Sequence, residues 1–475
     1  MNITNFKHKL EEHLKRMKYA HFHDGFPDAD LRKSRLKKII NLLVENKKEL
    51  STAINDDFDG RHPSFTQLAD IRQSISHCKH TIKNIDKWMK IEKRTAEFPL
   101  GLFGAKAEVH YQPKGVIGIM SPWNFPISMI FDPLCDALAA GNRVMIKPSE
   151  HTPKTSKLIK ELINDNFSEN EIKVFLGEVA VGEVFSSLDF DHLFFTGATS
   201  VGKKIMQAAS KNLTPITLEL GGKSPTVIDF NYSINKAAER IISGKAINSG
   251  QVCLSPDYVY VPESKIEEFI LTCREVFNEQ FPTIKGNLDY TAIINIHHFD
   301  RINNYLDEAD QAGVKIIPLS IEEPTREERR FPIYLIIDPP DNLSIMQDEI
   351  FGPLLVIKSY KDEEECFYDI NNRPTPLAFY YFSDDKKKQM QAISKTTSGG
   401  VTINDVIMHV GCNDLPFGGA GASGIGYYHG KEGFKTFSNT RSVLIQSKIN
   451  ITKLIGTLPP YGDKIKKILR TQIRK

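Results

Sequence analysis

The chain carries no excess of charge of one sign. Across 475 residues, 61 Lys and Arg stand against 59 Asp and Glu, a net charge of +2. That balance excludes a strongly basic nucleic-acid binder and leaves only a local basic patch open. There is also no cysteine framework. Cys78, Cys135, Cys253, Cys273, Cys366 and Cys412 are scattered without a CxxC pair, as expected of a reduced, cytoplasmic chain rather than a disulfide scaffold. The N-terminal MNITNFKHKLEEHLKRMKYAHF lacks a signal-peptide apolar core. No apolar run reaches the roughly 18 residues of a membrane span. The most apolar stretch, 116–140, is broken by Pro122, Asn124, Pro126, Asp132 and Pro133. No internal repeat of fixed period is present. What is there is an ordinary globular composition, 40% hydrophobic and 25% charged, in a chain too long for one core. At least two cores and about three domains are expected.

The first hundred residues read as helical, with Leu36, Ile39, Ile40 and Leu43 forming an i, i+3, i+4, i+7 stripe. From Gly115 short β-branched runs alternate with helix-length polar stretches: GVIGIM, RVMIK, HLFFT and PITLEL. A second series follows Gly222: PTVIDF, DYVYVP, a helix over 264–280, then VKIIPL, YLIID, PLLVIKSY and LAFYYFS. Alternation of this kind predicts βαβ units and parallel sheet in two α/β domains meeting near 220–222. The last 75 residues turn Gly-rich and then basic, which suits an arm or oligomerisation element. The cations at 464–475 suit a solvated amphipathic helix better than a membrane anchor.

Several motifs are decoys. Gly419, Gly421 and Gly424 spell G-x-G-x-x-G but neither follow a strand nor open a helix, so they predict a tight backbone loop. GGKS at 221–224 has Thr217 where a P-loop needs glycine, and Pro225 opposes the following helix. The pairs His21/His23 and His297/His298 have no carboxylate or thiolate at ligand spacing, so no metal is expected.

Four segments carry chemistry, and each by itself also has a bland reading. SPWNFP (121–126) follows a strand. Its Asn124 amide can hold an oxyanion and its Trp123 can wall a pocket, or the segment is only a structured turn. HLFFTGATSVGKKI (192–205) places Thr196 and Gly197 at a strand end, with a helix opening near Ser200 and Gly202 within it. That is either a diphosphate seat or a plain βα turn. Upstream, Lys147 and Glu150 of IKPSE stand where they can hold ribose hydroxyls. In LELGGKSP (218–225), Glu219 ends an apolar strand, as a general base of raised pKa or a satisfied buried carboxyl. In NSGQVCLSP (248–256), Cys253 is either an activated thiol at a loop end or an inert core residue.

Taken together, in this order, PWNFP, KPSE, FTG-x-T-x-VG, ELGGKSP, GQ-x-C and EIFGP (349–353) resemble the aldehyde dehydrogenase superfamily from residue 111 onward. The ending LPFGGAGASGIGYYHGKEGFKTFS resembles its class 3 branch. TTSGGVTINDVIMHV and LPPYGDKIKKILR are most similar to coniferyl aldehyde dehydrogenases.

The resemblance implies an α/β fold with three parts. A Rossmann-like NAD-binding domain would take residues 1–85 and 112–220, and an α/β catalytic domain 221–405. A small oligomerisation arm and C-terminal tail would take 86–111 and 421–475. It implies Cys253 as nucleophile, Asn124 and the Cys253 backbone N–H as oxyanion donors, and Glu219 as base. Lys147 and Glu150 would sit at the adenosine ribose, Glu349 at the nicotinamide ribose and Phe351 against its ring. Trp123, Met129 and His409 would line the substrate tunnel. The cofactor implied is NAD, with NADP possible, since Glu150 repels a 2′-phosphate. The substrate implied is an aromatic aldehyde such as coniferaldehyde. Alternatives are a medium-chain aliphatic aldehyde, a CoA-acylating enzyme (which usually lacks a base at the Glu219 position) and a catalytically silent NAD-binding protein. A homodimer is the expectation for this branch. Ala198 and Val252 depart from common family residues by lacking a hydroxyl, and Ser200 stands where many members carry Glu.

Overall fold

A computed structural model of the chain describes residues 3–473. Five helical segments lead in. In Ala29–Glu45 the Asp28 carboxylate caps the start by accepting from Leu31 N at 2.8 Å. The expected stripe packs inward, with Leu36, Ile39 and Leu43 fully buried and Ile40 half-buried.

A six-stranded sheet follows, in the order Gly424–Ile425, Ile216–Leu220, His192–Gly197, Val116–Met120, Arg143–Lys147, Ile172–Val174. All its pairings are parallel except the one made by Gly424–Ile425. Val116–Met120 and Arg143–Lys147 are buried at every position, because helices cover both faces of a parallel sheet and leave no polar alternation. At Gly118 an added Cβ would lie 2.7 Å from the Phe190 ring, so the central strand needs glycine there. The chain runs outward in one direction from Val116–Met120 and in the other from His192–Gly197. A crevice therefore opens beyond the carboxyl ends of these two neighbours, the place where open α/β sheets bind ligands.

The chain crosses between Leu220 and Ser224 into a seven-stranded sheet. Its order is Lys315–Pro318, Tyr334–Ile337, Leu354–Tyr360, Pro256–Pro262, Ser224–Ile228, Ala378–Phe382, Gly400–Ile403. Only its first pair is antiparallel. A third, antiparallel sheet joins Glu92–Arg94, Lys106–Pro113 and Ser438–Ile445.

Six strands escape the sequence reading, two of them the very short Glu92–Arg94 and Gly424–Ile425. Lys106–Pro113 is half-exposed along most of its length, Ser438–Ile445 is mostly exposed, Gly400–Ile403 is half-buried throughout, and Ile172–Val174 is only three residues long. The Gly-rich run is a backbone loop: Gly421 has φ +59°, and Gly424 pairs antiparallel with Glu219. The basic tail forms the helix Asp463–Gln472 with no buried residue; Arg474 and Lys475 lie outside the described residues. Among the described residues, no helix is long and apolar enough to cross a membrane.

Candidate active site

The crevice opens into a cavity of about 1390 Å³. Asn124, Thr196, Gly197 and Glu219 reach it from the six-stranded sheet, Cys253 from the loop before Pro256–Pro262, and Glu349 and Phe351 from the loop before Leu354–Tyr360. Trp123 and Met129 also line it.

The Cys253 loop is built tightly. The helix Ile234–Ala246 ends in a turn whose Asn248, Ser249 and Gly250 all have positive φ (+50°, +52° and +72°). Such backbone persists in non-glycine residues only where surroundings enforce it. Here the Gln251 side chain does so: Nε2 donates to the carbonyls of Asn248 (2.9 Å) and Ala292 (3.1 Å), and Oε1 accepts from Ile294 N (3.0 Å). Ser249 Oγ donates to the Thr291 carbonyl. A Cβ on Gly250 would collide with the Gly352 carbonyl, so this loop and the Glu349 loop touch backbone to backbone. The Gly250→Ala protein is therefore expected to lose about 1–3 kcal/mol of stability and roughly tenfold or more in kcat/KM. Thermal denaturation and aldehyde kinetics check the two effects.

Asn124 is joined to the same loop. Its Nδ2 donates to the Gln251 carbonyl at 3.1 Å. An amide nitrogen carries two hydrogens, and the second is left for the cavity. Cys253 is half-buried, and its thiol is pushed up to about 12, by burial first and then by the Glu349 and Glu219 carboxyls. Glu219 is buried with neither carboxylate oxygen hydrogen-bonded. Burial raises its pKa well above the usual carboxyl range. Burial and the nearby Asp257 likewise hold Glu349 up at about 8, against the opposing pull of the Gly222 N–H. A buried carboxyl without partners is costly as a structural element and suited to taking a proton.

Several features suit a dinucleotide. The helix Thr199–Ser210 begins at the cavity after Ala198, which provides no side-chain cap. Its first two amides, those of Thr199 and Ser200, are therefore unspent, as an anion seat requires, while Val201 N donates to the Ala198 carbonyl at 3.0 Å. Thr196 Oγ1 and Glu349 Oε1 are shielded from solvent and lack hydrogen-bond partners. Lys203 lines the cavity. Phe351, held at φ +44°, packs edge-on to Trp123 at 5.4 Å. Its backbone is fixed by Arg301, which donates to the carbonyls of Ile350 (2.7 Å) and Phe351 (3.1 Å).

Other expected residues stand elsewhere. Lys147 and Glu150 pair with each other and are not part of the cavity wall, and Gly202 packs against Leu220. His409 also departs from the tunnel wall expected of it. Its Nδ1 is 2.8 Å from Thr402 Oγ1, its ring stacks on Phe417 at 6.0 Å, and Phe417 takes the wall position. Sequence reading missed His298, which lines the cavity 5.2 Å from Trp123. Burial and Arg301 lower it to about 3, leaving a neutral ring.

Comparison with known proteins adds the following. The model of the Aldehyde dehydrogenase family matches residues 26–443. A protein of Caulobacter vibrioides named "Probable coniferyl aldehyde dehydrogenase" is 47% identical, covering 100% of this chain and 99% of the relative. A "Coniferyl aldehyde dehydrogenase" of a Pseudomonas species is 43% identical, covering 97% of this chain and 95% of the relative. Among solved structures, the substrate-bound state of Staphylococcus aureus AldH superposes with a TM-score of 0.91 at 35% identity, over 99% of this chain and 100% of that one.

Proposed function

Because the chain belongs to the aldehyde dehydrogenase family, we infer that its cavity oxidises an aromatic aldehyde of the coniferaldehyde class to the acid. It is an NAD(P)-dependent aldehyde oxidoreductase. The observation that carries the mechanistic reading is the hydrogen bond from Asn124 Nδ2 to the Gln251 carbonyl. It ties the loop that carries an amide donor to the loop that carries the Cys253 thiol, with the partnerless Glu219 lining the same cavity.

In this reading Cys253 Sγ gives its proton to the Glu219 carboxylate, which releases it to solvent, and the thiolate bonds to the aldehyde carbon. The carbonyl π pair moves to oxygen, held by the second Asn124 N–H and the Cys253 backbone N–H, each such donor typically worth about 2.7–4 kcal/mol. Nicotinamide, when bound, supplies the hydride acceptor. The tetrahedral adduct becomes a thioester on Cys253. Glu219 then takes a proton from water, the hydroxide oxygen bonds to the acyl carbon, the C–S bond breaks, and acid and free Cys253 result. A carboxylate whose pKa is raised by burial is a stronger base than one in water, which suits both proton removals.

The unspent amides of Thr199–Ser210 with Lys203 would hold the diphosphate, Glu349 the nicotinamide ribose and Phe351 the ring. Lys147 and Glu150 would hold the adenosine ribose, with Glu150 favouring NAD over NADP. The wall of Phe65, Phe125, Met129 and Phe417 suits an aromatic ring. The coniferyl aldehyde dehydrogenase names of full-length relatives support the same substrate class.

The six-stranded sheet with its N-terminal helices would form the NAD-binding domain (1–85 and 112–220), and 221–405 the catalytic domain. Residues 86–111 and 421–475 would form the arm and tail of a cytoplasmic homodimer. Exposed Phe98, Leu102, Leu444 and Ile445 support that arm.

The test is a rate screen for reduced nicotinamide, crossing NAD and NADP with coniferaldehyde, benzaldehyde, hexanal and acetaldehyde. Highest kcat/KM with coniferaldehyde and NAD is expected. Preference for hexanal moves the reading to aliphatic detoxification. Tight NAD binding without turnover of any aldehyde overturns it in favour of a silent protein.

A further inference from the structure

The carbonyl of Asn124 is gripped as closely as its side chain. Arg61 is fully buried, and its Nη1 donates to that carbonyl at 2.6 Å. Its Nη2 donates to Asp70 Oδ2 at 2.7 Å. The other Asp70 oxygen accepts from Ser128 N at 2.9 Å and Ser128 Oγ at 3.0 Å, tying the pair to the start of the helix Ser128–Ala139. The guanidinium carbon lies 5.2, 4.8 and 5.0 Å from the ring centres of Phe58, Phe65 and Phe125. From the opposite side, Asn248 Nδ2 reaches the same carbonyl at 3.2 Å.

We propose that Arg61 is a positioning residue for the oxyanion donor. Held by Asp70 among three phenyl rings, it fixes the Asn124 carbonyl while Asn248 fixes it from the nucleophile loop. The clamp thereby sets the direction of the Asn124 amide. This rests on the reading of Asn124 as oxyanion donor. A buried charge needs more than packing to be retained, since an unpaired guanidinium in a dry site is expensive. The planar fork explains why the residue is arginine. Two directed bonds at a fixed angle join Asp70 to the Asn124 carbonyl, whereas a lysine ammonium on a flexible stem does not preset that angle. Neither Phe58 nor Asp70 supplies chemistry to the cavity. What the cluster delivers is an amide aimed at the point where negative charge develops, and a shift of about 1 Å there costs on the order of 10²-fold in rate.

The test is a double-mutant cycle on the full chain. Arg61→Lys is expected to lower kcat about 10–100-fold, with KM for NAD unchanged. In the Asn124→Ala background the same substitution should cost less than about twofold, because the group it positions is gone. Equal losses in both backgrounds, or no loss in kcat from Arg61→Lys, would overturn the inference. If Arg61→Lys does not fold, Asn248→Asp removes the other donor to the same carbonyl and is judged by the same cycle. Should Asn124→Ala itself leave kcat intact, the oxyanion reading fails and the inference goes with it. That outcome is distinct from additivity, which sinks the positioning role alone.

Discussion

The Cys253→Ala protein is expected to bind NAD as tightly as the parent and to turn over aldehyde slower by on the order of 10⁴–10⁶-fold, the loss typical when a covalent nucleophile is removed. The residues proposed to hold the dinucleotide, at the start of Thr199–Ser210 and around Glu349 and Phe351, do not depend on the thiol for their positions. Cofactor affinity and chemistry should therefore separate. Fluorescence titration with NAD measures the first, and reduced-nicotinamide formation under single-turnover conditions measures the second. Residual turnover within tenfold of the parent sinks Cys253 as nucleophile. The alternative cysteines are poor substitutes: Cys78, Cys135, Cys273 and Cys366 are buried in the core, and Cys412 is exposed and off the cavity wall.

The second large effect is a stall rather than a loss. Glu219→Gln keeps shape and burial but cannot take a proton from water. Steady-state turnover should fall about 10²–10⁴-fold. If water attack is the step that needs Glu219 most, a burst of one reduced nicotinamide per active site survives. Mass spectrometry should then find the acyl group on Cys253. The pH profile carries the sign of the argument. Burial raises the Glu219 carboxyl well above its ordinary range. Below that raised value it is protonated and cannot act as base, so deacylation by the parent enzyme should climb as pH rises through it. In Glu219→Gln this limb should vanish. A parent profile flat from pH 5 upward would show an ordinary carboxylate and remove Glu219 from the role.

How much of this is legible in the sequence follows from which interactions are local. Strands covered on both faces announce themselves as unbroken apolar runs, and Val116–Met120, Arg143–Lys147 and His192–Gly197 fall where those runs lie. Lys106–Pro113 and Ser438–Ile445 are largely open to solvent and mix polar with apolar residues, so no unbroken apolar run distinguishes them from loop. The same holds at the cavity. Cys253, Glu219, Asn124, Glu349 and Phe351 stand in short motifs and surround one space. Arg61 lies 63 residues from the carbonyl it holds, and Asn248 lies 124 from it. Only folding creates those pairs, and no spacing rule reports them. His298 is visible in the sequence only as half of a candidate metal pair. Its place beside Trp123 depends on a helix from the other sheet.

The antiparallel bridge between Gly424 and Glu219 sets an order of events during synthesis. Ile216–Leu220 emerges from the ribosome long before Gly424–Ile425, and until then it is the open edge of its sheet. Lys106–Pro113 waits longer still, for Ser438–Ile445. An unpaired edge is a template for a neighbouring nascent chain, and contacts so distant in sequence form slowly. Until residue 424 has emerged, the nascent chain therefore carries Ile216–Leu220, which ends one residue past Glu219, with its outer edge unpaired. Messages truncated before codon 424 yield chains with that edge permanently open, to be met by chaperone or protease.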